Sequence, residues 1–478
     1  MRALLVFCLA CAVEARGELP RAMLDALRAS GLPQDAAAVV VQRVSDGATV
    51  LSHNADRSMQ PASTLKPLIA LVALETLGPD YRGRSEILAE GEIDAGTLRG
   101  NLVLRGRGDV DLDWRALERM LSLARLKGIR EIRGDFVVDR TFFEPARTDV
   151  GLAPFDGTPE FRYNFVPDAL SLNMNLVELQ MVSDGDRVAV AFSPELDEVR
   201  FVSEFKLVER KCADWEDGWI LPTVETDRRG AIVVRLRGDF PRGCSASTQI
   251  NVIDRGVFAE RLFRAMWKRL GGSFRGRVRD GAASSDAEVV ATHRSRTLAE
   301  LLRDINKDSD NPVTRVVYLL LGASSKADPA LPTAARAEHE VRAWLARNGI
   351  EQEGLVLENG SGLSRLERIR PAQLAAVMRA GLRSDWSAEF ISSLPVAALD
   401  GGMRTRLTQS VAARKARIKT GTLSNTSAVA GFVTDTRGDM YVVAAIINDD
   451  AAKREIARPV LDLLVDWVAA RGSAGSSP

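Results

Sequence analysis

The sequence is poor in histidine and cysteine. Three histidines (His53, His293, His339) and four cysteines stand among 478 residues. That is too few soft ligands for a clustered zinc site, so no metal and no cofactor are expected. Charge bias is also missing: Lys plus Arg and Asp plus Glu number 64 each. The balance gives no electrostatic case for nucleic acid, and no basic run marks a polybasic membrane patch. No internal repeat is visible, and after the first residues no apolar run reaches the length of a spanning helix. The mature chain is expected to carry no transmembrane segment, with room left only for peripheral membrane contact. Apolar content of 46% and charged content of 27% describe a folded chain. Its length implies two or three domains.

The start is different. Arg2 precedes the apolar run Ala3 to Val13, and small residues follow as Ala10-x-Ala12 or Val13-x-Ala15. This reads as a secretory signal peptide, residues 1–17, and implies a periplasmic protein. A lipoprotein anchor at Cys8 or Cys11 is poorly supported, because Phe7 precedes Cys8 and Cys8 stands where leucine is wanted before Cys11. Removal of the signal leaves Cys212 and Cys244. Export favours oxidation, so these two are expected to form a disulfide closing a loop of about 33 residues, worth roughly 3–4 kcal/mol in the chain-entropy picture. Two buried thiols are the alternative.

Along the chain, residues 20–60 read as a short helix (Ala22 to Ser30) and two strands turning at Asp46-Gly47. A helix is expected from Ser63 to Leu77. From about 90 to 290 short alternating runs dominate, interrupted by one amphipathic helix with Leu117, Met120, Leu121 and Ala124 on a face. Helices return after about 290. The end is a strand set around RIKTGT, SAVAGFVTD and DMYVVAAIIND, then a last helix and a polar tail at 471–478 that should be disordered.

Three short motifs carry chemistry. Ser63 lies three residues before Lys66 at the start of an apolar helix. There i and i+3 share a face, so the amine can reach the hydroxyl, and serine needs such activation to be a nucleophile. The bland alternative is a helix cap with a snorkelling lysine. SEFK, Ser203 to Lys206, has the same spacing in strand-like sequence with no helix after it. Second, Ser309-Asp310-Asn311 precedes Pro312, as a proton shuttle and a carboxamide facing a cleft or simply as a capping cluster. Ser171-Leu172-Asn173 repeats the form inside an expected strand. Third, Lys419-Thr420-Gly421-Thr422 occurs once. It offers a fixed charge, two hydroxyls on one side of a strand and a glycine that lets a substrate backbone approach. An extended peptide could add beside it as a further strand.

These three motifs, in this order, are the set of the penicillin-recognising serine enzymes. The chain resembles the D-alanyl-D-alanine carboxypeptidase/endopeptidases of the low-molecular-mass class C penicillin-binding proteins. The separation of 243 positions from Lys66 to Ser309 looks like the two inserted domains of that class, and LENGSGLSR (Glu358 to Arg365), LRGRGDVDL and LDGGMRTRL are similar to its sequences. Asn359 stands where the family often has Asp and Gly402 where it has Thr, departures that touch turns and not the three motifs; Ser424 stands where Gln is common and bears on fine substrate preference.

The resemblance implies an α/β (α+β) transpeptidase/β-lactamase-like domain, split by a long β-rich insertion forming two smaller domains. The expected parts are catalytic 18–88 and 291–470, inserted domain II at 89–165 and 247–290, and inserted domain III at 166–246. It implies acyl transfer from peptidoglycan stem peptides and cross-links, with β-lactams as covalent inhibitors. Ser63 is the expected nucleophile and Lys66 its base. Ser309, backed by Lys419, serves as proton shuttle, and Asn311 orients lysine and substrate. Thr420 and Thr422, with the charge of Lys419, bind the terminal carboxylate, Gly421 lets the substrate backbone approach, and Arg365 and Asp139 contact the diaminopimelate part of the stem. For Arg365 and Asp139 a structural salt bridge is an equal alternative. A catalytically idle wall-binding scaffold, or a β-lactamase or esterase on the same fold, are the rival readings.

Overall fold

The computed structural model describes residues 17–472. The expected signal segment, apart from Gly17, and residues 473–478 of the expected tail lie outside the described residues. The chain divides into two compact units. One comprises residues up to Glu75, Leu302–Ser309 and everything from Arg342; the other comprises Thr76–Leu301 and Asp310–Val341.

The first unit is built on a five-stranded antiparallel sheet. Its order is Ala416–Leu423, Thr426–Thr434, Met440–Asn448, Ala37–Arg43, Thr49–His53. The three central strands are apolar almost throughout because both faces are covered. Val39, Val41, Ile418, Val429, Val433, Val443 and Ala445 pack with the helices Arg21–Ala29 and Arg454–Ala469. The alternate residues Ala38, Val40, Ala428, Ala430 and Ala444 are equally buried and point the other way. The helix Pro371–Arg383 packs on the strands Ala37–Arg43, Thr426–Thr434 and Met440–Asn448. Ala416–Leu423 ends the strand order; its first residues pair outward with residues 395–397 through the bridge between Val396 and Arg417, and the rest of the strand lies at the edge.

The second unit has a seven-stranded sheet and two three-stranded ones. In the larger sheet the hairpin Arg84–Asp94/Thr97–Arg107 is central, and Phe136–Asp139 and Val278–Asp280 add to it in parallel. Val177–Asp184, in one of the small sheets, alternates buried and exposed residues along its whole length, the pattern of a strand with one wet face. The Cys212–Cys244 disulfide ties the short helical segment Cys212–Gly218 to the residue preceding Ser245–Ile250.

Two expectations for this middle region need correction. It contains two amphipathic helices, not one. Beside Trp114–Leu126 runs Arg255–Arg269, capped by Asp254, whose carboxylate accepts from the N–H groups of Gly256 and Val257. Phe258, Leu262, Phe263, Met266 and Trp267 bury its inner face, with Phe263 stacked on Phe136 at 3.7 Å between ring centroids. Apart from three aromatic residues and Val257 the segment is rich in helix formers, and its apolar residues recur at helical spacing. Ser171-Leu172-Asn173 is not in a strand either. Residues Leu172–Asn175 form a tight turn in which Asn173 and Met174 have positive φ. There the Asn173 carboxamide bonds the Leu176 carbonyl and accepts from the Trp114 N–H.

Candidate active site

Ser63 lies in a 3-10 turn, Ala62–Leu65, that runs straight into the helix Lys66–Leu77. The expected helix therefore starts three residues later than Ser63. The preceding Pro61 makes no side-chain cap, and the Thr64 hydroxyl donates to the Pro61 carbonyl. The cap reading of Ser63 fails on geometry. Its half-buried hydroxyl accepts from Lys66 Nζ at 2.8 Å, and Lys66 is fully buried. The same amine donates to the Ser361 carbonyl at 2.5 Å. No histidine bonds Ser63 among the described residues. His53 ends its strand and contacts the Gln34 carbonyl.

The Ser63 turn is held from three sides. Ala62 has φ +48°, a left-handed value that costs a non-glycine residue of order 1–3 kcal/mol and persists only when neighbours impose it. Gly362 is one such neighbour: a Cβ there would sit 1.8 Å from the Ala62 carbonyl oxygen. Gly421 is another, because its Cβ would meet the Pro61 carbonyl at 2.7 Å and the Ser63 nitrogen at 3.0 Å. Below the turn, the Asn448 carboxamide accepts from the Gln60 N–H at 2.8 Å and donates to the Gln60 carbonyl at 3.1 Å.

The loop bearing Ser361 and Gly362 is organised by Glu367. This fully buried carboxylate accepts from the backbone N–H groups of Glu358, Asn359 and Gly360 on one oxygen and of Gly362 on the other. Burial outweighs these donors and pushes its carboxyl above the usual carboxylate range. Sequence reasoning missed Glu367. In RLER it looks like one more surface charge, and only the two glycines nearby hinted at a tight loop.

Lys419 is buried on the strand Ala416–Leu423 and donates to Ser309 Oγ at 2.8 Å and to the Thr420 carbonyl at 2.9 Å. Thr420 and Thr422 alternate with Lys419 and Gly421 along the strand. Thr420 is half-buried and Thr422 exposed. Ser309 has φ +60°, a second left-handed non-glycine residue. It does not cap the following helix: Asp310 does, accepting from the Val313 N–H. Ser63, Lys66, Ser309, Lys419 and the Thr420–Thr422 strand thus belong to one compact unit. Asn311 opens the helix Asn311–Ser324 of the other unit, where its carboxamide donates to the Tyr163 carbonyl.

The remaining candidates differ from these. Arg365 is exposed on the loop beside Ser364. Asp139 is buried in the second unit, with one oxygen accepting from the Thr141 N–H and hydroxyl and the other from the Ala283 N–H. Both of its oxygens therefore have local partners. The look-alike Ser203 and Lys206 lie within the strand Val199–Val208, where positions three apart face opposite sides.

The fold is that of a penicillin-binding protein. A crystal structure of penicillin-binding protein 4 from Haemophilus influenzae matches with a TM-score of 0.76 at 22% identity, covering 93% of this chain and 99% of that one. The chain belongs to the D-Ala-D-Ala carboxypeptidase 3 (S13) family, whose profile matches residues 21–467, a family of serine peptidases. It is 24% identical over 421 residues to the D-alanyl-D-alanine carboxypeptidase DacB of H. influenzae, covering 86% of this chain and 84% of that protein. It is 27% identical over 441 residues to a D-alanyl-D-alanine carboxypeptidase of Actinomadura, covering 86% and 77%. Among the described residues no helix is long and apolar enough to cross a membrane.

Proposed function

We propose that this chain hydrolyses the terminal D-Ala-D-Ala bond of peptidoglycan stem peptides, and the D-alanyl bond of cross-links, through an acyl-enzyme on Ser63. The observation that carries the reading is the 2.8 Å contact between buried Lys66 Nζ and Ser63 Oγ, in the unit that also holds the Lys419–Ser309 pair. Ser63 Oγ attacks the carbonyl of the penultimate D-Ala while Lys66 takes its proton. The backbone N–H groups of Ser63 and Thr422 receive the oxyanion. The C–N bond breaks and Ser309, backed by Lys419, passes a proton to the leaving amine. Water then hydrolyses the ester, releasing the shortened peptide and restoring the Ser63 hydroxyl. Thr420, Thr422 and the Lys419 charge receive the terminal carboxylate. Asn311, two residues beyond Ser309 in the chain, is assigned the substrate amide, and exposed Arg365 the distal stem. A β-lactam would acylate the same serine; the H. influenzae structure is also described in complex with one. The Cys212–Cys244 disulfide fits an oxidising compartment such as the periplasm.

The test uses the wild-type protein. A fluorescent penicillin is expected on the tryptic peptide containing Ser63, and free D-Ala is expected from a pentapeptide. Label elsewhere, or a protein that releases no D-Ala, would sink the reading and favour an idle scaffold. Digestion of purified sacculi, resolving uncrosslinked products, reports the endopeptidase activity. Ser203→Ala is the control and should change neither readout.

A pH dependence follows from Lys419. Burial alone pulls its ammonium down to about 7. Its charge is present below that pH and lost above it. If that charge receives the substrate carboxylate, kcat/KM should fall as pH rises through about 7. The bound carboxylate raises the pKa again, so kcat should hold to higher pH. A kcat/KM profile flat through that range would remove Lys419 from the carboxylate site. Between about 7 and the ordinary lysine value the unfolded chain binds a proton that the folded one does not, so this group makes stability rise with pH in that window.

A further inference from the structure

The second unit holds an open cleft of about 370 Å³ that the reaction above does not use. It lies at the carboxyl ends of three strands that run parallel: Thr97–Arg107, Phe136–Asp139 and Val278–Asp280. Such strand ends, where the backbone leaves the sheet and opens a crevice, are the recurrent ligand position of parallel sheets. The volume falls at the lower end of the range for small-molecule sites. Its far wall is Ala323, twelve residues along the helix from Asn311 and about 18 Å away at the ordinary helical rise. The cleft is therefore not the surroundings of that carboxamide.

Its walls are cationic. Arg105, Arg107 and Arg336 all line it. Arg84, Arg105 and Arg107 gather around a single carboxylate, Glu86, at 3.3, 2.8 and 3.8 Å respectively. Arg105 makes the close pair, and Arg107 is left beyond hydrogen-bond distance. The Nε–H of Arg107 and the Nε–H of Arg336 are both buried and have no hydrogen-bond partner. Arg336 uses one terminal nitrogen on the Thr333 hydroxyl. The Arg107 guanidinium is oriented by the Phe142 ring, 5.3 Å from its centroid, and Phe142 itself lines the cleft. Asp139, the one acidic residue in the lining, has both oxygens occupied by Thr141 and Ala283. Burial first, then the neighbouring Arg105 and Arg84, pushes Arg107 below the ordinary arginine value, against the opposing pull of Glu86 and Asp139.

Three guanidinium groups line the cleft against one carboxylate whose oxygens already have local partners, which leaves an excess of positive charge facing it. A planar oxyanion, able to take two parallel N–H bonds from an arginine, matches that surface in both charge and shape. We propose that this cleft binds a small organic oxyanion, a carboxylate or a phosphate, held between Arg107 and Arg336 with Arg105 behind.

The two sources of that chemistry are separated by the probes. N-acetylmuramic acid supplies a carboxylate on a sugar and glycerol 3-phosphate supplies a phosphate, each titrated calorimetrically into the full chain at physiological salt. Saturable binding of either, weakened at least tenfold in the Arg107→Ala/Arg336→Ala double variant with penicillin labelling unchanged, is the expected result. The tighter probe identifies the source. Binding of neither, or equal binding to the double variant, overturns the proposal. Should the double variant fail to fold, phenylglyoxal modification of the wild-type protein decides. The bound probe should slow modification of Arg107 and Arg336 several-fold and leave exposed Arg28 unaffected, and unprotected Arg107 and Arg336 would reject the site.

Discussion

Lys66→Met is expected to slow acylation by penicillin by about 10³- to 10⁴-fold, at the upper end of what a positioned general base contributes, and Ser63→Ala to abolish covalent labelling. The argument rests on confinement. Lys66 is fully buried and its amine donates to Ser63 Oγ and to the Ser361 carbonyl. The Ser63 hydroxyl has no histidine or carboxylate partner among the described residues to replace it. Methionine is unbranched and close to lysine in length, so it fills the same channel without a buried charge. The folded state should survive, as near-wild-type near-ultraviolet circular dichroism would show. The readout is the second-order acylation rate from stopped-flow quenching. A well-folded Lys66→Met variant acylating within tenfold of wild type would assign the base elsewhere.

Glu367→Ala is expected to damage both stability and activity. Glu367 accepts four backbone N–H bonds in a fully dry site. Its removal leaves those N–H groups unsatisfied at roughly 1–3 kcal/mol each, so a loss of several kcal/mol and a marked fall in Tm should follow. The consequence for chemistry runs through two contacts. Ser361 presents its carbonyl to Lys66, and Gly362 lies against the Ala62–Ser63 backbone. A loop released from Glu367 no longer holds either. Glu367→Gln separates the two effects. It keeps one carbonyl oxygen for the three N–H groups of Glu358 to Gly360 but turns a donor toward the Gly362 N–H. Most of the stability should return, while acylation stays at least tenfold slow with penicillin affinity little changed. Full recovery of acylation in a stable Glu367→Gln variant would reduce Glu367 to a purely structural support.

The three candidate motifs were legible because each is local. Ser63 and Lys66 are three residues apart on a helical turn, Ser309 and Asn311 flank a helix cap, and Lys419 to Thr422 lie on one strand. Backbone geometry dictates what such neighbours can do together, so spacing is enough to propose them. Their order along the chain supplied the family. The strand-rich middle was legible as texture only. Arg255–Arg269 carried a local signal, the Asp254 cap and Phe258, Leu262, Phe263, Met266 and Trp267 in helical spacing, but its aromatic residues, packed on Phe136, blended into the strand-rich texture around it.

Tertiary structure alone decided the rest. Whether Ser63 caps a helix or faces an amine depends on Pro61, Gly362 and Gly421, brought together from three distant segments. Whether Glu367 is a surface charge or the buried hub of a loop depends on which backbone N–H groups converge on it. Whether Asp139 meets a substrate or a turn depends on Ala283, 144 positions away. Sequence by itself determined which chemical groups are available and which near neighbours share a face. Burial and long-range hydrogen bonding, set only when the chain closes, determined which of those groups are free to react.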